Sequence, residues 1–396
     1  MASDQDFSAE APRAPLLHDP RVRGIIYQVV VLAIVVAVGF YLVGNVQDNL
    51  ARLGIASGFG FLDSVAGFPI SQNLIDYNIS ASSYGRAFLV GIVNTIYVAI
   101  VGIVLSTIIG FIMGVARLSK NALVAGLASF YVETMRNIPL LLQLIFWYVV
   151  VIASLPRVAD SIKPVTGVFL NNRGLTIPSL VFADGSLVVG IACLAGIVAA
   201  FLFARYAKRH KEETGNSLPT LWIVLGLILV PTALAYLVMG APIGLSAPEA
   251  NRFRITGGLT MLPEFLALLL GLSIYTGAFI AEIVRSGILS VSKGQTEAAH
   301  ALGLKPNHTL RFVIIPQALR VIIPPQTSQY LNLTKNSSLA VAIGYPELFH
   351  VGGTINNQTG QAVEVVAIIM AVYLTLSLLT SLAMNIYNER MALKER

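Results

Sequence analysis

Long apolar runs, separated by polar connections, limit the fold of this chain more than any other feature. The sequence has 396 residues, of which 56% are hydrophobic and only 12% are charged, against about 25% charged residues in soluble domains. Eight runs reach or approach the roughly 20 residues that a helix needs to cross a bilayer. They occupy 25–43, 87–115, 131–155, 186–204, 218–239, 261–284, 310–343 and 363–387. The expected fold class is therefore all-α: a polytopic membrane protein with about eight transmembrane helices.

The positions of lysine and arginine predict the orientation. An even number of spans places both termini on the same side of the membrane. With the termini in the cytoplasm, seventeen lysine and arginine residues fall in inner segments and seven in outer segments, which agrees with the bias of basic residues towards the cytoplasm. We therefore predict cytoplasmic N- and C-termini. We attribute the net charge of +6 to this bias rather than to nucleic-acid binding.

A polar, basic segment between the sixth and seventh runs is predicted to fold as a short helix. Ser292 and Gln295 stand at the spacing of a capping box, and Gly303 can end the helix because glycine readily adopts the left-handed conformation. One stripe of this helix carries Val291, Gln295, Ala298 and Leu302. Pro306 or Asn307 opens a second helix, so two helices should meet at a glycine corner.

Small residues surround that corner. They are Ala298, Ala299, Ala301 and Gly303. Short side chains let another backbone come close, so the corner suits docking into a groove on a partner. The alternative is an ordinary cytoplasmic loop that happens to be helical.

The same segment resembles the EAA loop of ABC-importer permeases. Glu297, Ala298 and Ala299 are followed by Gly303 and then by an aliphatic stretch that ends at Pro316. Further matching motifs lie at 116–119, 131–133, 139–141, 281–288, 316–320 and 335–339. Together they resemble the polar amino-acid uptake branch of these permeases. The long form of the chain is similar to one permease subunit of bacterial general L-amino-acid transporters.

Typical members of that branch have five spans, so the resemblance divides the chain into a five-helix ABC-importer permease core and additions. The expected additions are a disordered cytoplasmic lead at 1–24, an N-terminal transmembrane anchor at 25–44, an extracytoplasmic loop at 45–85, an inserted segment with two extra transmembrane helices at 156–258 and a cytoplasmic tail at 391–396. The expected core comprises 86–155 and 259–390, with cytoplasmic coupling helices at 291–312.

The resemblance implies a transport subunit of the bacterial inner membrane rather than an enzyme. ATP hydrolysis is expected on separate ATP-binding cassette ATPase subunits, because the chain lacks the Gly-Lys pair of a phosphate-binding loop. The residues expected to contact those subunits are Gln295, Glu297, Ala298, Ala299, Leu302 and Gly303. The other implied partners are a sister permease subunit, a periplasmic amino-acid-binding protein, an amino-acid substrate and the lipid bilayer. We expect no cofactor, no metal site and no nucleic acid.

Ionisable residues near membrane depth are costly to bury and are therefore functional candidates. Glu282 and Arg285 stand three residues apart near the end of one apolar run, and Glu133 and Arg136 have the same spacing near the start of another. We interpret both as local ion pairs that steady the coupling region. Contact with substrate is the alternative.

A polar cluster follows Pro324 and Pro325 in the seventh run. Two prolines disrupt helical hydrogen bonding and are expected to bend the span. Broken helices expose backbone groups to polar substrates, and the cluster offers an ammonium, an amide and two hydroxyls to a free amino acid. The expected substrate-path residues are Lys335, Asn336, Ser337 and Ser338. The alternative is that Lys335 reaches out to the membrane interface.

Two other functional classes stay open from the sequence alone. A secondary transporter driven by an ion gradient would work without an ATPase and would carry internal inverted symmetry, which we do not find. A scaffold or assembly protein would transport nothing. Within the favoured class, an importer of another solute is a further alternative.

Overall fold

The computed structural model describes residues 20–52, 58–251 and 254–391, and twelve α-helices lie within them. They are α1 (Pro20–Arg52), α2 (Tyr84–Ala116), α3 (Ala122–Asn137), α4 (Leu140–Ile145), α5 (Ser186–Thr214), α6 (Thr220–Val238), α7 (Pro263–Leu289), α8 (Lys293–Ala301), α9 (Pro306–Thr309), α10 (Ile315–Asn336), α11 (Leu348–Thr359) and α12 (Ala362–Met391). Three irregular helical segments continue α4 and both ends of α10. Phe146–Ile152 and Leu310–Ile314 are π-helical, and Ser337–Ile343 is a 3-10 helix.

Six of the described helices are long and apolar enough to cross a membrane: α1, α2, α5, α6, α7 and α12. Helix α3 and the segment that begins with α4 meet at an angle of 108°, and this bent pair adds a seventh crossing if it is one span. Helix α10 is not in this set, because polar residues such as Gln326 and Lys335 interrupt its apolar sequence. The chain is therefore a mostly helical membrane protein, and its eighth predicted span stays a prediction.

Helix α1 is longer than the predicted anchor. It begins at Pro20 and ends at Arg52, so it includes the last residues assigned to the lead and the first residues assigned to the loop at 45–85. Polar residues flanking an apolar run do not end a helix unless a capping or breaking residue is present. Residues 1–19 of the predicted lead and 392–396 of the predicted tail lie outside the described residues.

The expected interruption at the proline pair does not occur. Helix α10 continues through Pro324 and Pro325, and its irregular segments lie at either end instead, at Leu310–Ile314 and Ser337–Ile343. Each proline removes one backbone donor, but α10 also packs along α7 and α12. These tertiary contacts hold the helix through a position where local sequence favours a break.

Helix α7 lies at the centre of the core, in contact with α2, α3, α4 and α10. Glycines allow the closest approaches. A Cβ added at Gly114 of α2 would lie 2.7 Å from the backbone oxygen of Ala281 on α7. A Cβ added at Gly287 of α7 would lie 2.4 Å from the side chain of Ile322 on α10. Small residues at such crossings permit the close van der Waals packing that holds membrane helices together.

Residues 58–83, the described part of the connection between α1 and α2, fold into a cap at the end of the core opposite α8. Phe61 and Phe68 of this connection are buried against Leu348 and other residues of α11. Asn94 of α2 donates a hydrogen bond to the backbone oxygen of Gln72 at 2.8 Å. The segment from 58 to 83 is thus a packed part of the fold rather than a loose connection.

Short antiparallel strands flank the extra helices, so the fold is mostly helical, with small sheets outside the predicted helices. The strands are β1 (Phe169–Asn171), β2 (Gly174–Ile177), β3 (Ser179–Phe182), β4 (Ile243–Ser246), β5 (Glu249–Ala250), β6 (Ile255–Thr256) and β7 (Leu259–Met261). They form the sheets β1-β2-β7, β3-β4 and β5-β6. Strands of two to four residues are too short for apolar alternation to be recognised.

The pairing of β2 with β7 joins the two sides of the inserted segment. Thr176 stands opposite Thr260 in this ladder, and their hydroxyls lie 3.0 Å apart. Between the two sides, α5 and α6 form a helical hairpin. Gly215, with φ of +74°, follows the last residue of α5, as expected for a helix that stops at glycine.

Candidate functional site

Helices α8 and α9, with the turn between them, form a bent segment that we call the elbow. The predicted short helix is present: the Ser292 hydroxyl accepts a hydrogen bond from the Gly294 amide at 3.3 Å as α8 begins. Gly303 follows α8 with φ of +73°, a conformation that glycine adopts with little strain. The expected capping box does not close, because Gln295 Oε1 accepts from Gln317 Nε2 of α10 at 3.1 Å.

Much of the elbow surface is free within this chain. Of the six residues predicted to contact a partner, five are exposed. They are Gln295, Glu297, Ala298, Leu302 and Gly303. Leu302 is 81% exposed, whereas Ala299 is only 3% exposed. The two neighbouring alanines therefore differ in exposure. Ala299 packs against the rest of the chain, and Ala298 faces outwards, where a partner can approach.

The elbow is fixed to the ends of two long helices. Val291, just before α8, packs on a cluster that α7 and α10 share. The buried members of the cluster are Ile280, Val284, Ala318 and Ile322. The crossing of Gly287 with Ile322 brings the two helices into direct contact there. Because close-packed interiors transmit displacement rather than absorbing it, a movement of the elbow would shift α7 and α10 together.

A charge cluster ties three helices together near the same end of the core. The Arg117 side chain, only 9% exposed, contacts Glu282 of α7 and lies 3.8 Å from Glu133 of α3. Glu282 also lies 3.3 Å from Arg285 and 3.6 Å from Arg136. The pair Glu282–Arg285 is present, whereas Glu133 and Arg136 pair with other residues instead of with each other. Local spacing did not reveal Arg117, because its partners lie on other helices.

The four predicted substrate-path residues do not share one environment. Lys335 is exposed at the end of α10, and in the described chain its ammonium makes no hydrogen bond or ion pair. Asn336 and Ser338 are half-buried. Ser337 is fully buried, and its hydroxyl donates to the backbone oxygen of Thr334 at 2.7 Å. The Ser338 hydroxyl likewise donates to the backbone oxygen of Lys335 at 2.8 Å. Lys335, Asn336 and Ser338 therefore keep some exposed surface, whereas Ser337 has none.

Comparison with known proteins decides the family. Residues 213–393 match the family described as "Binding-protein-dependent transport system inner membrane component". The chain is 51% identical over 380 residues to the general L-amino acid transport system permease protein AapQ of Rhizobium johnstonii, covering 96% of this chain and 95% of that protein. This chain belongs to that family of inner membrane transport components.

A second relative matches this inner membrane component over a similar span. The glutamate/glutamine/aspartate/asparagine transport system permease protein BztB of Rhodobacter capsulatus is 42% identical, with 96% of each chain covered. Alignments of this length include the segment that contains α5 and α6. The extra helices are therefore part of what this inner membrane component shares with these two relatives.

A buried carboxylate to which the sequence analysis gave no role lies at the start of α11. Glu347 is 0% exposed, and its carboxylate accepts hydrogen bonds from the amides of Phe349 and His350 at 2.8 Å and from the Tyr373 hydroxyl at 2.9 Å. Burial raises the pKa of Glu347 to about 7, although the three donors act in the opposite direction. Serine, threonine, asparagine and aspartate are the usual caps, so a glutamate in this place carries little signal.

Proposed function

We propose that this protein is the membrane-spanning permease subunit of an ATP-binding-cassette importer for polar or general L-amino acids. Its family membership supports a transport role, and two long relatives that are named as amino-acid transport permeases support amino acids as the substrate class. The observation that carries the proposal is the elbow: an exposed, alanine- and glycine-rich corner attached directly to α7 and α10.

In this proposal the chain crosses the membrane eight times. Six single helices and the bent pair of α3 and α4 account for seven crossings, and α10 with its flanking segments is the eighth. Both termini are cytoplasmic, and so is the elbow. The excess of lysine and arginine in the segments on that side supports this orientation. The cap at 58–83 and the short strands then face the periplasm.

The elbow couples two ATPase subunits to the pore. The exposed Ala298 and Gly303 leave room for a close backbone approach, and Glu297 offers a carboxylate to a basic group on the ATPase. Closure of the ATPases displaces the elbow, and the packed cluster below it passes the displacement to α7 and α10. Because α7 also contacts α2 and α3, the movement reaches the rest of the core and alternates the access of the pore.

The substrate path passes the end of α10. The exposed ammonium of Lys335 suits an amino-acid carboxylate, since a charge-assisted hydrogen bond is stronger than a neutral one. Asn336 and Ser338 add an amide and a hydroxyl beside it. A sister permease subunit completes the pore on the open side of this chain, and a periplasmic binding protein delivers the amino acid to the cap side.

Substitutions on the exposed face of the elbow test the coupling. We expect Glu297→Lys and Ala298→Arg to reduce the ATPase retained on the purified full chain by about tenfold or more, as for residues central to an interface. Both side chains are exposed, so the substitutions should leave folding intact. Gly303→Pro should have the same effect by a different route, because proline cannot adopt a φ of +73°. Co-purification in detergent and uptake of labelled amino acids are the two measurements.

Lys120→Glu is the matched control, because Lys120 is exposed in the connection between α2 and α3 and lies outside the elbow. It should retain the ATPase and the uptake. Undisturbed ATPase retention in all three elbow variants would contradict the coupling role. Uptake that stops when the ion gradient is dissipated while ATP persists would instead support a gradient-driven transporter.

A further inference from the structure

The hairpin of α5 and α6 stands apart from the core. The two helices pack on each other, and neither makes more than marginal contact with another helix or strand among the described residues. The buried residues of α5 are Val189, Gly196, Ala200 and Ala207, and α6 has none. Most of the hairpin surface is therefore open to whatever surrounds it in the membrane.

A long apolar groove runs between the two helices. Its volume is about 620 Å³, within the roughly 300–1,000 Å³ range of small-molecule pockets. The lining residues are Ala195, Gly196, Ala199, Ile223, Gly226, Leu227, Val230 and Pro231. Gly196 lies where α5 and α6 approach each other closely, because an added Cβ would lie 2.6 Å from the backbone oxygen of Leu227. Gly226 leaves open space, since an added Cβ there would meet no atom within 4 Å.

Exposed aromatic residues indicate that one end of this groove lies at the membrane interface. Trp222, next to the groove residue Ile223, is 74% exposed, and Tyr206 of α5 is 58% exposed. Exposed tryptophan and tyrosine at helix ends are typical of the headgroup level of a bilayer. The groove therefore begins at the level of the headgroups and extends into the acyl chains.

Basic residues extend beyond that level. Helix α5 has 29 residues and α6 has 19, so α5 is roughly 15 Å longer at a rise of about 1.5 Å per residue. The exposed basic residues of this overhang are Arg205, Lys208, Arg209 and Lys211. Glu212 and Glu213 lie on the same overhang, and Glu212 is 3.9 Å from Lys208. Three of the four cations thus make no ion pair within the described chain.

We propose that the hairpin holds one anionic phospholipid, with an acyl chain in the groove and the phosphate at Arg205 and Arg209, which stand four residues apart on one face of α5. A cluster of lysine and arginine directly beyond a membrane helix attracts anionic headgroups, and the groove gives the same molecule a fixed place for its tail. From Ala199 to Arg205 and Arg209 the distance along the helix is roughly 9 to 15 Å, which a headgroup and glycerol can cover.

Native mass spectrometry tests this directly. The full chain, purified in detergent with the subunits that accompany it, is titrated with phosphatidylglycerol, and phosphatidylethanolamine and free glycerol 3-phosphate serve as the comparison ligands. We expect one tightly retained phosphatidylglycerol, with weaker retention of phosphatidylethanolamine and none of glycerol 3-phosphate. The double variant Arg205→Gln, Arg209→Gln should weaken that retention by about tenfold or more, since each cation near the membrane surface contributes to the attraction.

A matched pair of glycine variants tests the groove. Gly226→Leu fills the open space and should reduce retention to the level of the double variant. Gly190→Leu, on α5 and outside the groove, also meets no atom within 4 Å and should leave retention unchanged. Equal retention in both glycine variants would overturn the proposal, as would binding of glycerol 3-phosphate alone. Loss of a protein subunit from Gly226→Leu, with no change in lipid, would assign the groove to a protein partner and would equally overturn it.

Discussion

Helices α6 and α7 are both long enough to cross a membrane, yet the protein uses them in opposite ways. In its most apolar window α6 has a mean hydropathy of 2.4 and none of it is buried, whereas α7 has a mean hydropathy of 1.9 and 61% of it is buried. The more buried helix is the less apolar one. In a bilayer, lipid tails are as apolar as leucine, so helices gain little by burying large apolar side chains against each other.

Small residues, rather than hydropathy, separate the two regions. Helix α7 packs through Gly277 and Gly287, and its partner α2 through Gly110 and Gly114; a Cβ at each would come closer than 3.0 Å to a neighbouring helix. In the hairpin, Gly196 alone makes such a contact, while Gly190 and Gly226 face open space. Close packing connects α7 with the rest of the core and with the elbow. Helices α5 and α6 lack such packing against the core, so their outer surfaces are available to lipid.

The largest expected effect follows from placing the same substitution in both regions. Gly114→Leu should destabilise the core by about 3 kcal/mol or more, because overpacking forces the backbone of α2 away from Ala281 and Val284. Gly190→Leu on α5 should be neutral or slightly stabilising, since leucine is the better helix former. Thermal unfolding in detergent measures both. Equal melting temperatures for the two variants would contradict the division between a packed core and a lipid-facing hairpin.

A smaller effect concerns the pH dependence of stability. Glu347 lies between α10 and α11, and its pKa is raised from 4.5 to about 7 by burial. The folded protein therefore binds this proton more tightly than the unfolded chain. Stability should be greatest below pH 4.5 and should fall by roughly 3 kcal/mol at most as the pH rises to about 7.

Glu347→Gln should remove that pH dependence, because the amide keeps an acceptor for the α11 cap but does not titrate. Unfolding measured between pH 5 and pH 8 gives the comparison. Glu212→Gln on the hairpin, where the side chain is 64% exposed, should leave the profile of the wild-type protein unchanged. A wild-type slope that survives in Glu347→Gln would assign the titration to another group.

The smallest expected effect is the difference in stability lost when a cation is removed from the charge cluster or from an isolated ion pair. Arg117→Leu should cost about 1–2 kcal/mol, because it removes the buried cation that joins α2 to α3 and α7. The loss is moderated because Arg136 and Arg285 still face Glu282. Lys208→Leu breaks the exposed pair with Glu212 on α5 and should cost about 0.5 kcal/mol or less. A similar cost for both would show that the cluster does not stabilise the core.

The elbow was predictable from sequence because its signals are local. A capping serine, a stopping glycine and a stripe at helical spacing all lie within about a dozen residues, and the structure has its helix at Lys293–Ala301. The proline pair of α10 illustrates the limit of such local rules, since tertiary packing carries the helix through Pro324 and Pro325. Arg117 had no predicted role because its partners lie on other helices, and Glu347 had none because glutamate is not a usual helix cap.

Apolar runs, the bias of basic residues and the elbow motif were sufficient to determine a helical membrane protein and the family to which it belongs. These features depend only on how many adjacent residues avoid water and on how a few neighbours cap a helix. Only the tertiary structure decided which helices pack together, which charges meet and which residues of the 335–338 cluster stay accessible. Such outcomes depend on contacts between residues as far apart as Arg117 and Glu282, and periodicity along the chain does not record which helix will become a neighbour.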